Sequence, residues 1–159
     1  MRYWDIIESE LGPIQVICDD DGVLGVEFGR EVPNEGQQKA TELMSKTVHQ
    51  LKEYLIGERM EFDLPLKPQG TAFQKKVWEA LCTIPYGQTR SYKEIAVQIG
   101  NEKACRAVGM ANNRNPISII IPCHRVIGAD KSLVGYGGGL DRKVKLLNLE
   151  CPGVTWKNY

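Results

Sequence analysis

The segment Pro122-Cys123-His124-Arg125-Val126 contains the residue types best suited to covalent chemistry in this chain. A cysteine attacks as its thiolate, and neighbouring positive or protonatable groups lower the pKa of a thiol. Because His124 and Arg125 directly follow Cys123, the sequence predicts a nucleophilic cysteine with a lowered pKa. A buried structural cysteine beside an unrelated histidine is the alternative, since free cysteine is among the most buried residue types.

The residues on either side of this segment predict how it is positioned. Residues 117–121 are strongly apolar and predict a buried β-strand that ends at Pro122 and holds the following side chains at the edge of the core. Residues 135–139 read Gly-Tyr-Gly-Gly-Gly and predict a loop whose backbone can approach a ligand closely, because glycine adds no side-chain bulk. Apolar spacing then predicts a last helix over about 140–150.

Short helices are predicted ahead of the apolar run. Two capping-box patterns each indicate the start of a helix. They are Thr71 with Gln74 and Ser91 with Glu94. The second of these helices ends near Gly100, and a third is predicted from Glu102 to about Asn112. Two short helices joined by a glycine-containing turn have the form of a helix-turn-helix, which is a DNA-binding arrangement.

The N-terminal half has a different pattern and no cluster of residues suited to chemistry. Alternating apolar runs at residues 3–8, 14–18 and 23–28 predict an antiparallel meander. Helical spacing follows over about 40–55, and alternation at 62–66 predicts one more strand. This half is therefore expected to be a small α+β layer.

The distribution of charge separates the two halves. Residues 1–70 carry 7 Lys/Arg and 14 Asp/Glu, whereas residues 71–159 carry 13 and 6. A basic surface attracts phosphate and an acidic one repels it, so nucleic-acid binding is expected only in the C-terminal half. A solvated basic face without a ligand is the alternative reading of the same pattern.

Composition excludes several classes of protein. With 159 residues, 42% hydrophobic and 25% charged, the chain has the composition of an ordinary globular protein. It has no apolar run long enough to span a bilayer and no signal-peptide pattern, so a soluble, cytoplasmic protein without a membrane partner is expected. Five cysteines without a Cys-x-x-Cys pair, and only two histidines, argue against a disulfide framework or a zinc site.

Several motifs follow one another over about Phe73 to Glu150. They are Arg106-Ala107-Val108-Gly109, Asn115-Pro116, Pro122-Cys123-His124-Arg125-Val126, Tyr136 with its glycines, and Glu150. This order of motifs resembles the O6-alkylguanine-DNA alkyltransferase family. It implies an α+β fold, with a small N-terminal ribonuclease-H-like α/β domain over 1–70 and a mainly helical C-terminal domain with a helix-turn-helix over 71–159. It also implies DNA repair by irreversible transfer of an alkyl group from O6-alkylguanine to the protein, one transfer per molecule, with O4-alkylthymine left open as a second substrate.

The resemblance implies a role for each matching residue. Cys123 matches the alkyl acceptor, His124 the base that takes the thiol proton through water, and Glu150 the carboxylate that orients and charges the histidine. Asn115 matches the residue that organises this network. Tyr92 matches the residue that hydrogen bonds to the base and helps to rotate the nucleotide out of the duplex. The remaining residues of the guanine pocket are Val126, Tyr136, Gly137 and Gly138.

The partner implied is double-stranded DNA bound through its minor groove. Arg106 matches the side chain that fills the place of the flipped nucleotide, and small residues around it permit close approach to the sugar edges. The other expected DNA contacts are Ala104, Cys105, Ala107, Gly109, Arg114 and Arg125. A monomer without a cofactor or metal is expected. Gly137 stands where some members carry serine, so only its backbone N–H is available there.

Two other functions remain open. The first is a DNA-binding module that flips or flags lesions without reacting with them. The second is a Cys-His hydrolase unrelated to DNA, which would turn over a small ester or amide repeatedly.

Overall fold

The structure is a computed structural model that describes residues 1–156, so the last three residues of the predicted C-terminal domain lie outside the described part. The chain divides into two compact units. The first contains residues 1–69 together with 116–120. The second contains residues 70–115 and the chain from residue 121 onward.

A small sheet forms the base of the first unit. Its strands are β1 (Tyr3–Ile7), β2 (Ile14–Cys18), β3 (Val23–Phe28) and β4 (Gln37–Gln38). The order across the sheet is β3-β2-β1-β4. The first three strands pair antiparallel, as the alternating runs predict, and β4 pairs parallel with β1.

One helix, α1 (Glu42–Leu55), packs against β1 and β2. The Thr41 hydroxyl accepts a hydrogen bond from the Met44 backbone N–H and caps its first turn. Met44, Thr47, Leu51 and Tyr54 recur every three or four residues and are fully buried, so one face of α1 covers the sheet.

The strand predicted over 62–66 is wrong. Only Leu66 pairs, in an isolated parallel bridge to Val23. The Val23 N–H donates to the carbonyl of Pro65 and the Lys67 N–H donates to the carbonyl of Val23. Since proline has no N–H to donate, Pro65 and Pro68 prevent this pairing from growing into a ladder.

The second unit is mainly helical, as predicted. Its helices are α2 (Ala72–Leu81), α3 (Tyr92–Gln98), α4 (Cys105–Asn113) and α5 (Leu140–Glu150). Two short strands, β5 (Arg90–Ser91) and β6 (Val126–Ile127), pair parallel. Both predicted capping boxes are present, at the starts of α2 and α3. The Trp78 indole donates to the Ala111 carbonyl at 2.9 Å and connects α2 to α4 inside the core.

The third predicted helix begins later than expected. The Ala104 N–H donates to the Asn101 carbonyl and closes a turn, so α4 starts at Cys105 rather than Glu102. Gly100 has φ 82°, a left-handed conformation that ends α3 and that glycine adopts without strain.

The strand predicted over 117–121 is also wrong. Ile117 forms an isolated bridge to Val26, and the chain then turns. Ile119 has φ 74°, and the Ile120 N–H donates to the Ser118 carbonyl at 2.8 Å. A positive φ is rare for a β-branched residue and is incompatible with a continuing strand. The chain thus reaches Cys123 through a turn, not along a straight strand.

Candidate active site and DNA-facing surface

Cys123, His124 and Arg125 form a single 3₁₀ turn, here called the nucleophile turn. Two amides from the end of α4 fix the backbone around it. Asn112 Nδ2 donates to the carbonyl of Cys123 at 3.3 Å, and Asn115 Nδ2 donates to the carbonyl of Ile121 at 2.8 Å. The predicted organising residue Asn115 therefore contacts the segment that leads into the turn. Asn112 was missed, because its sequence context is that of an ordinary helix end.

The Cys123 thiol lies in a less polar environment than the sequence predicts. Burial raises the pKa of Cys123, and hydrogen bonds from Asn115 and Tyr136 and the charge of Lys143 only oppose this increase. The prediction of a lowered pKa is wrong, because it assumed that the neighbouring residues in sequence would supply the positive charge. The thiol thus needs a base to become a nucleophile.

His124 has the partner that the motif predicts. Its Nε2 lies 2.8 Å from Glu150 Oε2, and both side chains are fully buried. A carboxylate only accepts hydrogen bonds, so Nε2 carries the proton and Nδ1 is the basic nitrogen. Burial lowers the pKa of His124, although Glu150 opposes this effect. The ring is therefore neutral at neutral pH, which corrects the expectation that Glu150 charges it.

Arg125 does not reach the surface, and its predicted DNA contact is wrong. Its side chain is 8% exposed, and Nε and Nη2 donate to the two oxygens of Glu150 at 2.8 and 2.9 Å. Nη1 donates to the Ile84 carbonyl at 2.6 Å. The backbone N–H of Gly87 also donates to Glu150 Oε1, at 3.1 Å. Glu150 thus accepts hydrogen bonds from His124, Arg125 and Gly87. These bonds hold the carboxylate in place and compensate its buried negative charge.

The predicted pocket residues lie on elements around the nucleophile turn. Val126 is fully buried in β6, directly after the turn, and Tyr136 is 9% exposed with its hydroxyl near Cys123. Tyr92 begins α3, and its hydroxyl donates to the Val134 carbonyl at 2.7 Å. Burial raises the pKa of Tyr92 to about 12, so the hydroxyl remains a donor at neutral pH.

Gly137 and Gly138, two glycines of the loop, make different contacts with the residues around them. A Cβ added at Gly137 would lie 2.9 Å from the Asn113 carbonyl oxygen, so a serine there would require the backbone to shift. The Gly138 carbonyl accepts a hydrogen bond from Arg142 at 3.0 Å. The loop is therefore packed against the end of α4 and leaves a backbone N–H, and no side chain, at residue 137.

The other expected DNA contacts lie on the outer side of α4 and at its ends. Arg106, Ala107 and Arg114 are exposed, and Ala104, Cys105 and Gly109 are half-buried. The opposite side of the helix buries Val108 and Ala111. One surface of α4 thus combines small residues with exposed arginines, which is compatible with close approach to a nucleic acid.

Within residues 1–156, no helix is long and apolar enough to cross a membrane. In the same part of the chain, no three His, Cys, Asp or Glu side chains are grouped so that they could hold a metal ion.

Acidification is expected to destabilise the fold through His124. The unfolded chain takes up this proton near the ordinary histidine pKa of about 6.5, whereas burial lowers the pKa in the folded state. Below about pH 6.5 the unfolded state therefore binds more protons, and the free energy of unfolding falls as the pH falls. Urea unfolding between about pH 7.5 and 5.5 measures this dependence.

Two variants make this test specific. His124→Gln should weaken the pH dependence, whereas His49→Gln should keep it, since the His49 side chain is 73% exposed. Equal pH dependence in the wild type and His124→Gln would contradict the assignment.

Known protein families match both units. The family model "6-O-methylguanine DNA methyltransferase, ribonuclease-like domain" matches residues 2–68, and "6-O-methylguanine DNA methyltransferase, DNA binding domain" matches residues 72–152. The methylated-DNA–protein-cysteine methyltransferase of Methanosarcina barkeri is 52% identical over 153 residues, which cover 93% of this chain and 96% of that protein. The protein of that name from Mycobacterium bovis is 62% identical over 153 residues, covering 94% and 93%.

A solved structure has the same fold. The crystal structure of Mycobacterium tuberculosis OGT in complex with DNA superposes with a TM-score of 0.87 and 46% identity, and it covers 95% of this chain and 96% of that chain.

Proposed function

Since this chain belongs to the 6-O-methylguanine DNA methyltransferase family, we propose that Cys123 is the residue that receives the alkyl group. The family resemblance and the fold class predicted from the sequence are confirmed. The activity is direct-reversal DNA repair by transfer of an alkyl group to a cysteine of the protein. The observation that supports Cys123 is its place, one residue before a buried His124–Glu150 pair and beside Asn115 and Tyr136.

The reaction uses His124 as the base. Its Nδ1 takes the thiol proton through a water molecule, while Nε2 remains hydrogen bonded to Glu150. The thiolate attacks the alkyl carbon, so that the S–C bond forms as the C–O bond to guanine breaks. The proton then passes from His124 to the leaving guanine, and the thioether remains on the protein. Each molecule therefore reacts once.

The substrate is double-stranded DNA with an O6-alkylated guanine. The alkylated oxygen lies within the base-paired stack, so the nucleotide must rotate outward before a buried thiol can reach it. In this proposal α4 enters the minor groove, Arg106 fills the vacated place, and the loop around Tyr136 and Gly137 holds the flipped base. A monomer that acts in the cytoplasm is part of the same proposal.

Arg106→Ala is expected to slow transfer from duplex DNA at least about tenfold and to change the reaction with free O6-methylguanine less than about twofold. The reason is that Arg106 is exposed on α4 and acts only when a base must be replaced in the stack, a step that costs a few kcal/mol. Single-turnover rates with the two substrates measure the ratio. A matched control is Lys103→Ala, an exposed charge before α4. Equal slowing with both substrates would contradict the role given to Arg106.

Stoichiometry separates transfer from the two alternative functions. With excess substrate, a transferase removes one alkyl group per molecule and stops. Repeated turnover of small esters without DNA would identify a hydrolase, and tight lesion binding without alkyl loss would identify a binding module.

A further inference from the structure

Lys143 occupies an unusual position for a lysine. It lies on α5 beside the buried residues Val144, Leu146 and Leu147, and it has no exposed surface. Burial of an ammonium group is costly unless hydrogen bonds and an opposite charge compensate it. The apolar spacing of this helix could have revealed Lys143, because it lies on the inward side with Leu140 and Val144.

All three donors of the Lys143 ammonium group have partners. Nζ donates to the carbonyls of Val126 at 2.6 Å, Gly135 at 3.2 Å and Val134 at 3.3 Å. Val126 directly follows the nucleophile turn, and the other two carbonyls belong to the loop that leads to Tyr136. A single side chain therefore connects the turn that contains Cys123 to the proposed guanine pocket.

Lys143 forms no ion pair with a carboxylate among residues 1–156. Glu150, the buried carboxylate on the same helix, is bound by His124 and Arg125. The opposite charge available to Lys143 is the thiolate of Cys123, and the influence is mutual. The ammonium lowers the pKa of the Cys123 thiol, and the thiolate raises the pKa of Lys143.

We propose that Lys143 is a positioning residue for alkyl transfer: its buried ammonium group is the counter-ion of the Cys123 thiolate and fixes the pocket loop next to the nucleophile. This inference rests on the proposed role of Cys123. The ammonium keeps its proton throughout, while the thiol proton moves through His124 as the S–C bond forms. The positive charge of Lys143 thus stabilises the Cys123 thiolate, which burial alone would disfavour.

The charges of the Cys123 thiol and the Lys143 ammonium depend on the titratable groups that lie near them. The titratable side chains that face Cys123 or Lys143 are His124 in the nucleophile turn, Tyr92 on α3 and Tyr136 in the loop. His124 is neutral, and the high pKa of Tyr92 keeps it neutral too. Burial lowers the pKa of Lys143 to about 8, so its charge is lost above that pH. The supporting effect of Lys143 on the thiolate should disappear in the same range.

The test compares the reactivity of Cys123 in wild type, Lys143→Met and the matched control Lys145→Met, which removes an exposed charge from the same helix. Iodoacetamide labelling of the Cys123 peptide is followed by mass spectrometry as a function of pH. Between about pH 6 and 8, where Lys143 is charged, loss of the ammonium should slow labelling about tenfold, and this difference should disappear above about pH 8. Lys145→Met should match the wild type. A folded Lys143→Met that is labelled at the wild-type rate below about pH 8 would overturn the proposal.

A second measurement uses alkyl transfer itself. Lys143→Met should slow single-turnover transfer from the methylated duplex about tenfold below about pH 8, whereas Lys145→Met should not. A wild-type transfer rate in folded Lys143→Met would also overturn the proposal. If the wild type is methylated at Cys123 and Lys143→Met is not slowed, only the role of Lys143 fails. If the wild type is not methylated at Cys123, the proposed function itself fails.

Discussion

Cys123→Ser should abolish alkyl transfer, with a loss of at least about 10⁴-fold in single-turnover rate, while the Kd for duplex DNA changes by less than about twofold. A serine hydroxyl is a much weaker nucleophile than a thiol. It also holds its proton more tightly, so the neutral imidazole of His124 would not activate it to the same extent. DNA binding should persist because the exposed residues of α4 do not include Cys123, which is 3% exposed.

The control for this substitution is Cys82→Ser, which replaces an exposed cysteine just after α2. Its transfer rate and DNA affinity should equal those of the wild type. Loss of methyl from the oligonucleotide is followed under single-turnover conditions, and DNA affinity is measured by fluorescence anisotropy. Transfer by Cys123→Ser at more than a tenth of the wild-type rate would exclude Cys123 as the acceptor.

Arg125→Met should lower the free energy of unfolding by about 3–5 kcal/mol, because it removes one partner of a buried ion pair. Glu150 would keep its hydrogen bonds to His124 and Gly87 but lose the two from Arg125. The Ile84 carbonyl would also lose its partner. Urea unfolding measures the change, and Arg114→Met, which replaces an exposed arginine, should stay within about 0.5 kcal/mol of the wild type.

A double-mutant cycle shows whether this loss comes from the pair. Glu150→Gln alone leaves Arg125 buried without its carboxylate, and the double variant removes both charges. The double variant should therefore be less destabilised than the two single changes taken together. Additive losses would show that Arg125 and Glu150 contribute independently, contrary to the geometry.

The sequence predicted those parts of the fold that local chemistry decides. The strands β1 to β3 follow alternating runs, and the hydroxyls of Thr71 and Ser91 mark the starts of α2 and α3 because a capping box involves residues only three apart. The apolar run at 117–121 misled, since its composition suits a strand whereas Ile119 adopts a positive φ. Tertiary surroundings decide that conformation, and no local pattern reveals it.

The candidate site likewise contains features that the sequence predicted and features that only the structure shows. Motif order alone identified the pairing of His124 with Glu150, which lie 26 positions apart, and the structure places them 2.8 Å apart. The environments of Arg125 and Lys143 could not be assigned in this way. A surface position is expected for Arg125, and the spacing of α5 places Lys143 on the inward side without showing what its ammonium group contacts. Their partners, a carboxylate and backbone carbonyls, come from distant parts of the second unit.

The most direct test of the central claim is the intact mass of the protein after incubation with a duplex containing one O6-methylguanine, followed by peptide mapping. The account predicts the addition of a single methyl group, at most one per molecule, located on Cys123 and not on the other four cysteines. An unchanged mass while the oligonucleotide loses its methyl group, or a methyl group on another residue, would contradict it.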